Sequence, residues 1–258
     1  MQFDFPGDLR PSTVEERREF YRAAFPREAV EERMERWDRF IPVIDVGADS
    51  TRYRPRFKRY KGKLVRITDY DGVEDLATKM VEYAPEDVYY VTTIEKEDRI
   101  ETNPERELVF DLDPEDVDCE DCRRRKKYLD DTAAAYTFCE DCFAAAATET
   151  RQLYAFLENH FSQLQLVYSG RGFHIHVEDD DAYRMDREDR RELAGKVAQE
   201  FPIDTQVTAG EKDLIRLPGS LHGLVSKTVT PIEPADLAEP DRILTSVGVP
   251  EFLATDMG

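Results

Sequence analysis

Residues 164 to 177, Leu-Gln-Leu-Val-Tyr-Ser-Gly-Arg-Gly-Phe-His-Ile-His-Val, leave the backbone few options. Two short β-rich runs flank Gly170-Arg171-Gly172, and glycine's tolerance of positive φ lets so short a connection reverse the chain. The spacing predicts an antiparallel hairpin of Leu164 to Ser169 and Phe173 to Val177.

The neighbouring segments alternate in type around this hairpin. Residues 12 to 38 read as two helices divided by Pro26, with Ser12 and Glu15 at capping-box spacing and Phe20 and Tyr21 on an apolar face. Ile41 to Val46 is β-like, and Tyr53 to Ile67 alternates around Pro55 and Gly62 as a second hairpin would. Val73 to Tyr83 reads as a helix, Val88 to Ile94 and Glu107 to Leu112 as strands, Phe143 to Phe161 and 186 to 200 as helices. Ile203 to Ile232 resembles short strands broken at Pro218-Gly219, and the last 25 residues carry no strong signal. With no repeat evident, the pattern predicts an α+β fold with a mostly antiparallel or mixed β-sheet flanked by helices. Residues 1–45 form an amino-terminal helical flank, 46–117 and 144–258 a core, and 118–143 an insertion.

Charge sets a second bound. The chain has 56 acidic against 36 basic residues, a formal net charge of -20. Such a balance ordinarily disfavours nucleic acid, because phosphate binding needs a basic face. It also suits a protein of a salt-saturated cytoplasm, where a Debye length of about 3 Å at 1 M salt leaves only close contacts to matter. Local basic patches then carry the information. One is Arg123-Arg124-Arg125-Lys126-Lys127. The other runs through Arg52, Arg54, Arg56, Lys58, Arg59, Lys61, Lys63 and Arg66, interleaved with Tyr53, Phe57 and Tyr60, and suits either single-strand binding or a solvated hairpin face. No signal-peptide-like apolar core and no run of 18 apolar residues occurs, so a cytoplasmic protein is expected.

Three constellations carry chemistry. In Glu107-Leu108-Val109-Phe110-Asp111-Leu112-Asp113, two carboxylates two residues apart leave one strand face, where divalent ions can be gripped; a solvated strand end is the bland alternative. In Ser169-Gly170-Arg171-Gly172-Phe173-His174, a glycine-flanked turn offers N–H groups, a hydroxyl and a guanidinium to a triphosphate. His174 and His176 share a strand face and suit a metal site or a packed pair equally. Downstream, Asp204 sits at the expected start of a strand, and Arg216 and His222 add further donors. Separately, Cys119-x2-Cys122 and Cys139-x2-Cys142 have the spacing of a Cys₄ Zn²⁺ site, read as a structural knuckle or as a contact to template through its basic cluster.

Taken together, FDLD, SGRGFHIHV, and IDTQVT followed by IRLPGSLHG resemble the motifs of the archaeal and eukaryotic-type DNA primase small subunit, the archaeal branch most closely. The resemblance spans roughly residues 85 to 235. It implies a primase-type catalytic core in which Asp111, Asp113 and Asp204 bind Mg²⁺ or Mn²⁺. It further implies that Ser169, Arg171, His174, Arg216 and His222 contact the triphosphate of an incoming NTP or dNTP, on a single-stranded DNA template. A zinc element beside the metal-binding strand and a large-subunit partner are implied by the same likeness. The sequence departs from the family in having one short helix between His176 and Asp204, where a sizeable insertion is common. That leaves open a compact plasmid or viral primase-polymerase. Asp111-Leu112-Asp113-Pro114 also resembles the polymerase domains of bacterial end-joining ligases, which points to a repair or translesion polymerase as an alternative. A non-catalytic, zinc-stabilised nucleic-acid-binding subunit is the reading from a different class.

Overall fold

A computed structural model describes residues 5–37, 39–47, 64–94, 104–129 and 131–254. Its strands divide between two four-stranded sheets and a two-stranded ribbon, and every pairing is antiparallel. The α+β expectation holds, with two antiparallel sheets in place of one mixed sheet.

The first sheet has the order β2-β1-β3-β7, from β1 (Pro42–Asp45), β2 (Leu64–Arg66), β3 (Asp87–Val91) and β7 (Leu214–Arg216). The second has the order β10-β5-β6-β4, from β4 (Leu108–Leu112), β5 (Leu164–Tyr168), β6 (Phe173–Val177) and β10 (Thr230–Pro231). Between them in sequence, β8 (Leu221–His222) and β9 (Lys227–Thr228) form the ribbon. An isolated bridge, Thr93 to Arg106, links the chain leaving β3 to the chain entering β4. The predicted hairpin is β5–β6, with Tyr168 opposite Phe173 and Ser169 closing the turn onto Gly172.

Alternation along the second sheet separates its two faces. Leu108, Phe110, Leu112, Leu166, Tyr168, Phe173, Ile175 and Val177 point into one core cluster. The opposite face carries Val109, Asp111, His174 and His176. Against the apolar face packs the helix Glu140–Leu157, whose Phe143, Ala146, Ala147, Thr150, Leu153 and Leu157 recur at helical spacing and are buried. The carboxy-terminal residues, which carry no strong sequence signal, close this core. A 3₁₀ turn at Pro234–Ala238 and a helix at Pro240–Ser246 bury Leu237, Ile243 and Leu244, each such side chain stabilising by about 1.5–3 kcal/mol.

The amino-terminal helices, Val14–Ala23 and Arg27–Met34, pack on the helix Gly72–Tyr83 and, with Phe25 of the link between them, supply Phe20, Tyr21 and Val30 to a second cluster that lies against the first sheet. The capping box is shifted by one residue from the predicted pair: Thr13 and Glu16 make it. Ser12 instead donates its hydroxyl to the Gly223 carbonyl at 2.9 Å, tying this segment to the ribbon. The basic, aromatic stretch from Arg52 to Lys63 lies outside the described residues, as does most of its predicted hairpin; only Arg66 is seen, 3.6 Å from Asp213. Among the described residues no helix is long and apolar enough to cross a membrane.

Candidate active site

Asp111 sits on β4 directly opposite His174 on β6, and His174 Nε2 lies 3.5 Å from Asp111 Oδ1. Asp113 follows the strand end and turns back to Arg171, whose Nη2 is 3.0 Å from Asp113 Oδ2 and 2.6 Å from Glu115 Oε1. The turn approaches so closely that a Cβ on Gly172 would stand 2.4 Å from both Asp113 Oδ1 and the Leu112 carbonyl oxygen. Only glycine fits there, because the backbone of the turn rests on the carboxylate strand. Gly170 has φ +94°, and a Cβ there would meet His222 Cβ at 2.9 Å.

Asp204 arrives differently from the prediction. It does not open a strand but caps the short helix Thr205–Thr208, its Oδ1 accepting from the N–H groups of Gln206 and Val207. Asp is a preferred cap because its short carboxylate reaches exactly such unpaired donors. Its own N–H donates to the Asp111 carbonyl at 2.9 Å, which brings the third carboxylate to the strand bearing the first. Lys212 Nζ donates to Asp204 Oδ2 at 2.7 Å.

The first sheet brings the remaining donors. Arg216 on β7 donates from Nε to Asp87 Oδ1 at 3.0 Å and lies over the Tyr89 ring at 5.4 Å. His222 on β8 has Nδ1 2.8 Å from the same Asp87 oxygen, without the alignment of a hydrogen bond. Ser169 accepts from the Gly172 N–H at 2.9 Å and is thereby committed to shaping its turn.

Electrostatics bind these groups into one site. Burial, then the charges of Asp113 and Asp204, push the Asp111 carboxyl well above the usual carboxylate range, against the pull of Arg216 and Arg171. Burial and the positive groups around it hold His174 well below the ordinary histidine value, and the same influences lower His222 to about 4. Both imidazoles are therefore neutral at pH 7. Burial would raise the Asp87 carboxyl, but His222 and Arg216 outweigh it and hold it low.

Satisfaction of polar atoms is uneven. Of eleven buried side-chain N or O atoms without a hydrogen-bond partner among the described residues, seven belong to this cluster: Asp111 Oδ1, Glu115 Oε2, Arg171 Nε and Nη1, His174 Nδ1, and both ring nitrogens of His222. Orphaned buried polar atoms cost about 1–3 kcal/mol each, and folded proteins tolerate few. The three aspartates are the partly open part, with side chains 17%, 20% and 26% exposed for Asp111, Asp113 and Asp204. Among the described residues the three carboxylates do not gather as the four cysteines do, and Arg171 pairs with Asp113 and Lys212 with Asp204.

His176 belongs elsewhere. Its Nδ1 lies 3.0 Å from Glu107 Oε1, within a buried network that includes Arg33 and the Tyr90 hydroxyl. Of the two histidine readings, the packed and hydrogen-bonded one describes His176, whereas His174 faces Asp111.

The four cysteines come together. Their Sγ atoms lie within 4.8 Å of one another, with separations of 3.4 Å (Cys122 to Cys142), 3.5 Å (Cys139 to Cys142) and 3.7 Å (Cys119 to Cys139). A tetrahedral zinc with Zn–S bonds of ~2.3 Å spaces its sulfurs at ~3.8 Å, so the donor set fits. Each pair is the same tetrapeptide, Cys-Glu-Asp-Cys, placed across the start of a helix, Glu120–Lys126 or Glu140–Leu157. The N–H of Cys122 helps pull the Cys119 thiol down to about 7. The adjoining basic cluster is largely engaged at home: Arg123 pairs with Asp118, Arg124 with Asp121, and Arg125 donates to the Phe138 carbonyl at 3.5 Å.

Sequence reasoning missed Asp87, Glu115 and Lys212. Arg216 and Arg171 each needed a counter-charge, which is a signal that some carboxylate must exist, but nothing in spacing identifies which of 56 acidic residues supplies it.

A family described as DNA primase small subunit matches residues 110–202. An Archaeoglobus fulgidus protein, described as an uncharacterized DNA primase small subunit-like protein, is 35% identical over 279 aligned residues, covering 98% of this chain and 95% of that one. The DNA primase small subunit PriS of Pyrobaculum calidifontis is 27% identical over 70% of each chain, and that of Pyrococcus horikoshii 29% identical over 54% of this chain and 38% of its own. Among solved structures, the polymerase domain of Mycobacterium tuberculosis ligase D in complex with DNA is similar with a TM-score of 0.44 and 19% identity, covering 76% of this chain and 72% of that one.

Proposed function

Because the chain belongs to the DNA primase small-subunit family, we propose that it is a primase catalytic subunit that synthesises short primers on single-stranded DNA by metal-dependent nucleotidyl transfer. The observation that carries this reading is the concentration of unsatisfied buried groups of both signs around Asp111. Acceptors without donors beside donors without acceptors suit a ligand that brings cations and phosphate oxygens together.

Asp111, Asp113 and Asp204 would hold Mg²⁺ or Mn²⁺, a hard-cation donor set of carboxylates completed by substrate phosphate. When bound, two such ions favour ionisation of a 3′-hydroxyl and neutralise charge on the leaving pyrophosphate. The chain's own residues do the holding. Arg171 and Arg216 present guanidinium groups to the triphosphate, and each already sits against a carboxylate that holds it in place through one nitrogen. His174 and His222, neutral at pH 7, offer ring nitrogens that the protein leaves unpaired. The Ser169–Gly172 turn keeps Arg171 at the end of the aspartate strand. The bond formed joins the 3′-oxygen to the α-phosphorus, and the bond broken releases pyrophosphate.

The cysteine quartet, in residues 118–143, holds structural Zn²⁺ beside a core of 46–117 and 144–258, and a large primase subunit completes a heterodimer in the cytoplasm. The acidic composition suits a halophilic host. The test is unprimed synthesis on single-stranded DNA at high KCl with Mg²⁺ or Mn²⁺, for the unaltered protein and Asp111→Asn. Products in both would remove Asp111 from the catalytic machinery, and no product from either, with single-stranded DNA still bound, would assign the chain a nucleic-acid-binding role without catalysis. Products only from pre-annealed primers would instead make it a repair or translesion polymerase.

A further inference from the structure

Tyr136 ends the short helix Asp131–Tyr136, which lies between the two cysteine pairs, yet its ring sits outside the zinc module's own business. It covers the Arg171 guanidinium, with Cζ 4.8 Å from the ring centroid. No hydrogen-bond partner occupies its hydroxyl among the described residues, so the ring face is the contact that holds it there. Tyr89 stands in the same relation to Arg216, whose Cζ lies 5.4 Å from its ring centroid. Each of the two arginines assigned to the triphosphate is therefore backed by a tyrosine, one from the first sheet and one from the cysteine-bearing insertion.

Arg171 is otherwise poorly determined. Only Nη2 is bonded, to Asp113 and Glu115, while Nε and Nη1 are buried and unpartnered. Two carboxylates gripping one corner of a guanidinium fix its distance and leave its plane free to rotate. An aromatic face over Cζ removes that freedom and points the two unused donors in a constant direction. Tyr136 is in turn anchored by its sequence neighbours: Phe138 is wholly buried against Phe5 and Phe143, and Cys139 begins the second cysteine pair.

We propose that Tyr136 is a positioning residue for the incoming nucleotide, through which the zinc module orients Arg171 toward the triphosphate. The inference rests on the assignment of Arg171 to nucleotide binding. It gives the insertion a part in the active site distinct from any contact with template.

The test is the affinity of the full-length protein for ATP with Mg²⁺, by calorimetry, in Tyr136→Leu, Tyr136→Phe, Tyr136→Trp and Arg171→Gln, with zinc content measured in each. A cation–π contact of this kind corresponds to roughly a threefold to tenfold weaker affinity on its loss. Tyr136→Leu should show that loss at unchanged zinc content, and in turnover a raised KM with kcat little altered; Tyr136→Phe and Tyr136→Trp should stay within about twofold of the unaltered protein. Unchanged affinity in Tyr136→Leu, or a loss in Tyr136→Phe as large as in Tyr136→Leu, overturns the proposal. Unchanged affinity in Arg171→Gln would instead remove the nucleotide assignment on which it stands.

Discussion

The main-chain N–H of Asp204 donates to the main-chain carbonyl of Asp111 at 2.9 Å, so two carboxylates 93 positions apart are placed by backbone. The side chain of Asp204 is meanwhile a helix cap. Structure and charge can therefore be separated. Asn caps about as well as Asp, whereas Ala costs about 1 kcal/mol. Asp204→Asn should retain nearly the full melting temperature and lose metal-dependent synthesis; Asp204→Ala should lose both. Activity surviving in Asp204→Asn sinks the three-carboxylate assignment.

Asp111 predicts a pH dependence. Its carboxyl is raised by burial and by Asp113 and Asp204, so the metal-free native state binds a proton there more readily than the unfolded chain does. Stability from this group is present at low pH and is lost as pH rises through the raised value. A divalent ion relieves the same repulsion but competes with the proton. The gain in melting temperature on adding Mn²⁺ should thus grow as pH rises from the ordinary carboxylate value through the raised one, by scanning fluorimetry. A gain independent of pH would mean that the ion binds elsewhere.

Glu107 supports the sheet behind the site. Burial would raise its carboxyl, but His176, Arg33 and Tyr90 outweigh this and hold it at about 2. The sign is the opposite of that for Asp111: the stabilisation is complete above the ordinary carboxylate value and disappears as pH falls toward 2. Glu107→Ala leaves Arg33 buried without its carboxylate and should cost about 3–5 kcal/mol in urea denaturation at pH 7. Glu107→Gln, which keeps an acceptor for Arg33, should cost less. A loss below 1 kcal/mol for the alanine variant at pH 7 contradicts the role given to this network.

The cysteines differ in burial by their place in the motif: the second of each pair, Cys122 and Cys142, is buried, and the first, Cys119 and Cys139, is partly exposed. Cys142 is 1% exposed and lies in the first turn of the helix that packs on the second sheet, whereas Cys119 is partly exposed and precedes a short surface helix. Cys142→Ser should therefore lower the melting temperature more than Cys119→Ser, and a strong chelator should lower that of the unaltered protein. Equal effects of the two substitutions would place the metal's contribution in the module alone.

Much of this was legible in the residues themselves. The hairpin around Gly170-Arg171-Gly172 and the strand that carries Asp111 follow from alternation and glycine chemistry, which act over a few residues. The cysteine quartet follows from spacing. What was not legible depends on partners distant in sequence. Asp204, just after a helix and Pro202, looked like a strand start, whereas it caps a helix and its N–H is bonded to Asp111, 93 positions away. The closing residues, Leu237, Ile243 and Leu244, have too few apolar neighbours in sequence to announce a core. Asp87 and Glu115 were indistinguishable from solvated acids until the arginines they face were placed.

Gly172 has a consequence for how this site can change. Its missing side chain is what lets the turn that carries Arg171 rest on Leu112 and Asp113 at the end of the aspartate strand, with less than a methyl group's width to spare. The two parts are in bearing contact, so neither can slide toward the other, and any adjustment to a larger or smaller substrate must come from the opposite wall. Arg216, Tyr89 and Asp87 come to the site from the other sheet. Variation in what the site accepts should accordingly accumulate on the first sheet, while the second serves as a fixed jaw.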